Sequence, residues 1–213
     1  MRSALLYIGI LLTASCSLPT DGPTLQTGDL LFQCGNGAMS GAITDATGRD
    51  GAVNYTHVGI VLARDAADAA DSVLEASTEG GVRIVALAQF LDRSARLDGR
   101  PVVTAMRLRD TTGLAASVAR ARQQLGLPYD YSFWPDNGRY YCSELVYDSY
   151  RRPDGTPIFP ARPMNFRAAD GTLPRYWEEL FERLGEPVPE GVPGTNPNDM
   201  AGETLLCEHF RWF

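Results

Sequence analysis

The sequence predicts an α+β fold, with a central antiparallel sheet or small barrel packed against helices. Three observations carry this. Short β-branched, apolar runs at residues 55–62, 72–77 and 80–85 follow one another across polar or glycine-containing turns, as hairpin strands do. Helical periodicity appears at residues 114–125 and 175–184. A polar turn leads into Cys142, behind which Leu145, Val146, Ser149 and Tyr150 recur at helical spacing, so this cysteine sits at a helix N-terminus.

Composition narrows the function classes. A chain of 213 residues is long enough for one domain with a real core and leaves little for a second. The net charge of −7 offers no basic patch for phosphates, so nucleic acid is not an expected partner. There are two histidines, His57 and His209, and four cysteines, Cys16, Cys34, Cys142 and Cys207. No cysteine pair has the close spacing of a zinc or iron–sulfur site, so neither metal nor cofactor is expected.

In chain order, residues 1–16 read as a targeting segment: Arg2 gives the positive start, and residues 4–12 are an apolar run too short for a permanent span. The sequence Leu12-Thr13-Ala14-Ser15-Cys16 resembles a bacterial lipobox, with its leucine one place early. That resemblance implies lipidation at Cys16, a membrane anchor and a periplasmic or outer-membrane location. Residues 17–26, with Pro19, Gly22 and Pro23, read as a tether. The domain is expected over 27–213. It opens with a strand at 28–33, then a small-residue loop to residue 54 holding one short helix around 39–45.

Residues 55–62 and 72–77 are read as strands joined by a polar turn at 64–71. A hairpin centred near 66–68 sets His57 opposite 75–79, and alternation puts Glu75 on its face. A third strand follows a glycine turn, then a helical turn at 88–93 and a strand at 102–108. The helix at 114–125 stops at Gly126, and a loop runs up to the cysteine helix. An amphipathic helix is expected at 175–184. The Pro/Gly-rich extension from 185 should be irregular and its aromatic end, 205–213, should dock on the core.

A helix start presents free N–H groups and a positive dipole end, which favour a thiolate. Cys142 is therefore the candidate nucleophile, His57 the better-placed base and Glu75 the carboxylate that could orient it. Taken singly, each could be structural. The ordered set Gly28-Asp-Leu-Leu-Phe, Tyr55-Thr-His57-Val-Gly-Ile-Val, Glu75 in Val-Leu-Glu-Ala, Gly126-Leu-Pro-Tyr129-Asp130 and Tyr140-Tyr141-Cys142-Ser-Glu-Leu-Val resembles the YiiX/YebB-like cysteine hydrolases. These form a circularly permuted branch of the NlpC-type, papain-like superfamily, which implies a permuted papain-like fold and the order His, Glu, Cys.

The resemblance implies Cys142 as nucleophile, His57 as base and Glu75 as third member. It makes Tyr129, Asp130 and Tyr141 candidate substrate-binding residues, with core packing or turn capping as their alternatives. The substrate would be a peptide, amide or acyl compound, with peptidoglycan stem peptides as the superfamily-based choice. A lipid-directed acyl hydrolase or acyltransferase, and an inactive binding lipoprotein, are the rival readings. Tyr131, Phe133 and Trp134 suggest an aromatic rim. With Cys16 lipidated and Cys142 reduced, Cys34 and Cys207 remain as a possible disulfide.

Overall fold

The computed structural model describes residues 24–63 and 71–213. The predicted targeting segment with its lipobox-like Cys16, residues 17–23 of the predicted tether and most of the predicted turn, residues 64–70, lie outside them. In chain order come β1 (Leu30–Gln33), α1 (Ala38–Thr47), β2 (His57–Leu62), β3 (Ser72–Ser77), β4 (Gly81–Ala86) and α2 (Leu87–Asp92). A small ribbon, β5 (Arg96–Leu97) and β6 (Arg100–Pro101), leads into β7 (Val103–Leu108) and α3 (Leu114–Gln123). Then follow α4 (Cys142–Ser149), β8 (Arg162–Pro163), α5 (Arg175–Leu184), β9 (Pro193–Gly194), α6 (Pro197–Ala201) and β10 (Leu206–Arg211).

Six strands form one antiparallel sheet in the order β10-β7-β1-β2-β3-β4. The sheet is open, with β10 and β4 as its edges, so the barrel alternative is not what forms. The outer edge of β4 is covered: Gly126 N–H donates to the Val82 carbonyl and Val82 N–H to that of Leu127, both at 2.8 Å. Gly81 permits this approach, since its φ is +70° and a Cβ there would lie 2.1 Å from the Leu127 oxygen. The aromatic tail docks as a full strand, β10, with a bulge between Glu208 and Phe210.

Both faces of the sheet are buried, which is why its strands read as near-continuous apolar runs. Val58, Ile60 and Leu62 share a core with Leu145, Val146, Trp177 and Leu180 from α4 and α5. On the other face Leu31, Val61, Val73 and Val103 pack with Phe90 from α2. Phe133, Phe166, Trp177 and Phe181 stack edge-on inside the helical layer. Phe133 is therefore packing, not rim.

The opening motif is an anchor. Asp29, 1 % exposed, takes Arg107 at 2.7 Å on both oxygens and accepts the Gln26 N–H at 2.8 Å. The Gly28 carbonyl accepts the Tyr150 hydroxyl at 2.9 Å, tying α4 to the sheet. Thr24 accepts from Arg107 at 3.0 Å and Leu25 is buried, so residues 24–26 belong to the fold rather than to the tether.

The expected Cys34–Cys207 bridge is not formed. Cys34 is a free thiol, its Sγ 3.0 Å from the Asn54 carbonyl. Its N–H bonds Val102, whereas Cys207 pairs with Arg107, farther along the same stretch and on its opposite side. Five residues of strand span roughly 17 Å, well beyond the ~7 Å Cα limit for a disulfide. Counting cysteines could not see this register.

Asp29→Ala strands the Arg107 guanidinium and frees the Gln26 N–H. It should cost about 2–4 kcal/mol in urea denaturation, whereas Asp29→Asn, which keeps the acceptor oxygen, should cost less.

Candidate active site

Cys142 is the first residue of α4, after Tyr141 in an extended N-cap conformation (φ −89°, ψ 167°). At this position its N–H has no intrahelical partner. Glu144 reaches back to accept the Tyr141 N–H at 3.4 Å, half of a capping box. Burial of Leu145 and Val146 fixes the helix against β2 and β3, with Cys142 itself 5 % exposed.

His57 begins β2 opposite Gln33. Strand β3 pairs with β2 as Ile60 to Leu74 and Leu62 to Ser72, a register centred on residue 67. Alternation then gives His57 and Glu75 the same face, one diagonal step apart. His57 Nε2 lies 2.7 Å from Glu75 Oε2, and Cys142 is close enough to the imidazole to act on its charge. With Nε2 on the carboxylate, Nδ1 is the nitrogen left for the thiol. The Phe90 ring packs 5.6 Å from the imidazole centroid. Gly59 makes room for it, because a Cβ there would meet Val73 at 2.4 Å and Phe90 at 3.0 Å.

The electrostatics follow from the contacts. Burial alone would pull His57 down, but its interactions with Cys142 and with Glu75 raise it to about 10. Burial alone would push Glu75 up, but His57 and then Arg93 hold it down at about 2. An imidazolium facing a carboxylate is thus the neutral-pH state. Glu75 has no exposed surface, and its second oxygen accepts Arg93 Nη2 at 2.6 Å and Arg83 Nε at 3.2 Å. Sequence reasoning missed both arginines. Arg83 was within reach, since it pairs directly with Glu75 across the Gly80 turn.

A cleft of about 460 Å³ opens beside His57, lined by Asn36, Met39, Ile43, Glu79, Arg93 and Tyr129 among others. Cys142 is buried and is not among the residues that line this cleft. Of the three candidate substrate-binding residues only Tyr129 faces the cleft, joined there by Tyr131 and Tyr176. Tyr141 instead stacks on Phe133 at 5.1 Å, and its hydroxyl accepts the Thr195 N–H at 3.2 Å. The N-cap geometry turns its ring away from the cleft. Asp130 is fully buried and caps its own turn, accepting the Ser132 N–H at 2.9 Å and hydroxyl at 2.6 Å. Neither lines the cleft beside His57.

Glu144 sits in an acidic setting. Burial, then the charges of Asp130 and Asp148, push it up to about 8. Burial likewise raises the Cys34 thiol to about 11, which disfavours its thiolate. Among the described residues, no group of three or more His, Cys, Asp or Glu is placed to hold a metal ion.

Comparison with known proteins identifies the family and the fold. Residues 24–206 match the family model described as permuted papain-like amidase enzyme, YaeF/YiiX, C92 family. The protein YiiX of Escherichia coli (strain K12) is 30% identical over 191 residues, covering 89% of this chain and 86% of that one. A crystal structure described as metalloprotein yiiX from Escherichia coli O157:H7 aligns with a TM-score of 0.66 at 26% identity, covering 87% of this chain and 97% of the other.

The raised Glu144 carboxyl gives a signed pH prediction. Between its ordinary value of 4.5 and about 8 the folded chain holds a proton that the unfolded chain has released. Stability therefore falls as pH rises through that window. Glu144→Gln should remove the slope and be more stable than wild type by about 1–2 kcal/mol at pH 8.5, with the gap closing near pH 4.5. Urea melts at both pH values check this, and parallel wild-type and variant curves would contradict it.

Proposed function

The chain belongs to the YaeF/YiiX (C92) family of permuted papain-like amidases, and from that premise we propose that it hydrolyses an amide through Cys142, His57 and Glu75. The observation that supports this best is one imidazole set beside a helix-start cysteine that acts on its charge, with a buried carboxylate 2.7 Å from its Nε2. His209, whose Nε2 lies 2.9 Å from the Thr24 carbonyl, has no such setting.

The roles follow from the contacts. The Cys142 sulfur attacks the carbonyl carbon while the proton rests on His57. The free N–H at the start of α4 is aimed to stabilise the oxyanion. As the C–N bond breaks, His57 gives its proton to the leaving amine, and a thioester remains on Cys142. His57 then takes a proton from water as the hydroxide oxygen attacks the thioester, freeing acid and sulfur. Glu75 keeps the ring oriented and charged without taking its proton, since it remains a carboxylate at neutral pH.

The cleft supports a peptide-like substrate, because its lining combines polar groups of Asn36, Thr78 and Glu79 with the apolar surface of Met39, Ile43, Tyr129 and Tyr176. A peptidoglycan stem peptide is the first choice. The apolar wall also favours a fatty acyl amide, which is the second reading. The leader and Cys16 support export and lipid anchoring from sequence. Metal chemistry is not carried over from the relative described as a metalloprotein. The oxygens of Glu75 are taken by His57, Arg83 and Arg93.

Cys142→Ala should lower turnover at least ~10³-fold while leaving the melting curve in place. Muropeptides and N-acyl amino acids, assayed in parallel by mass spectrometry, separate the two substrate classes. Activity retained in purified C142A on the substrate it cleaves would remove Cys142 from the mechanism.

A further inference from the structure

The short helix α2 has no part in the roles above, yet three of its contacts converge on the base. Its Phe90 ring lies against His57. The Phe90 carbonyl accepts Gln33 Nε2 at 2.6 Å, fastening the helix to the strand that pairs with His57. The residue that caps it, Arg93, ends on Glu75 Oε1 at 2.6 Å, the shortest contact that carboxylate makes. Glu79 then spans both arginines, 3.0 Å from Arg83 Nη2 and 3.4 Å from Arg93 Nη1.

Resting on the reading of Cys142, His57 and Glu75 as one unit, we propose that Arg93 is a positioning residue that locks Glu75 with its other oxygen on His57 and keeps it an anion. A carboxylate has two oxygens and a free rotation. With Oε1 held by a guanidinium from α2 and another from β4, Oε2 has one orientation, towards Nε2. The charged groups around Glu75 are His57 from β2, Arg83 from β4 and Arg93 from α2, with Glu79 beyond the arginines and Cys142 beyond His57. Of the two guanidiniums, Arg93 makes the shorter bond and does more to hold the carboxyl down. It approaches from outside the hairpin, so its loss removes the brace without altering strand register.

The sign is set by the charge. Without Arg93, Glu75 gains a proton at higher pH. Taking a positive charge out of this cluster makes any neighbouring anion, a thiolate at position 142 included, take up a proton at higher pH as well.

The test is the pH dependence of Cys142 alkylation by iodoacetamide, followed by peptide mass spectrometry so that Cys34 is counted separately. It needs no substrate. In Arg93→Gln the acid-side midpoint should rise by about one pH unit, with roughly tenfold slower labelling on the acid limb and less than threefold change at pH 8. Arg93→Lys keeps the charge but loses the fork, and its midpoint should fall between the other two. An R93Q acid limb that superimposes on wild type, with only a lower melting temperature, would reduce Arg93 to a structural brace and overturn the proposal. Should R93Q fail to fold, R93K decides alone: a midpoint raised by a few tenths supports the role, and an unshifted one overturns it. If wild-type Cys142 itself labels like an ordinary thiol, with no acid-side plateau, the triad reading fails instead.

Discussion

A negative charge sealed from water is the constraint on which this active site depends. Moving a carboxylate out of solvent costs several kcal/mol, offset only when each lone pair meets a donor in good geometry. Glu75 meets that condition, with His57 on one oxygen and Arg93 and Arg83 on the other. Each donor comes from a different element, so the carboxylate reports on the placement of β2, β4 and α2 together. A slip of one residue between β2 and β3 would turn His57 to the opposite face. The two glycines that tighten this region, Gly59 and Gly81, are sites where a Cβ would force Val73 and Phe90, or the 127–128 segment, away.

The charge has a chemical consequence that a neutral hydrogen-bond acceptor would not give. Burial by itself lowers an imidazole, leaving it unprotonated at neutral pH. The anion reverses that outcome, and His57 holds its proton to about pH 10. A protonated ring beside the sulfur can supply the leaving amine at once. The two arginines keep Glu75 from competing for that proton, so it orients the ring without becoming an acid itself.

Much of this was legible in the sequence, for local reasons. Residues 175–184 carry a strong apolar stripe, and α5 spans Arg175–Leu184 as read. The β2–β3 pairing is centred at residue 67, inside the predicted hairpin centre, because alternation and apolar pattern leave one workable register. What was not legible depends on direction rather than on proximity along the chain. Tyr141 adjoins the cysteine, but an extended N-cap sends its ring into the aromatic core. Asp130 follows a cleft residue, yet bonds its own turn. Arg93 reaches Glu75 only because α2 folds back on the sheet, a tertiary placement with no periodic signature. The open sheet could not be told from a barrel, since burial on both faces erased the alternation that separates them.

The site divides into two contiguous pieces. Residues 57–93 supply the base, the carboxylate, both arginines and the aromatic wall of the imidazole, all through neighbouring strands and the helix that follows them. Residues 129–150 supply the cleft tyrosine, the helix start and the sulfur. The pieces meet where α4 packs on β2 and β3, and Tyr150 bonding the Gly28 carbonyl pins the far end of the helix. Nothing in that meeting requires one piece to precede the other in the chain, because the chemistry is set across a helix–sheet interface and not along a loop. A family with the cysteine last can therefore assemble the same three side chains as one with it first, provided the hairpin register and the helix–sheet packing are both kept.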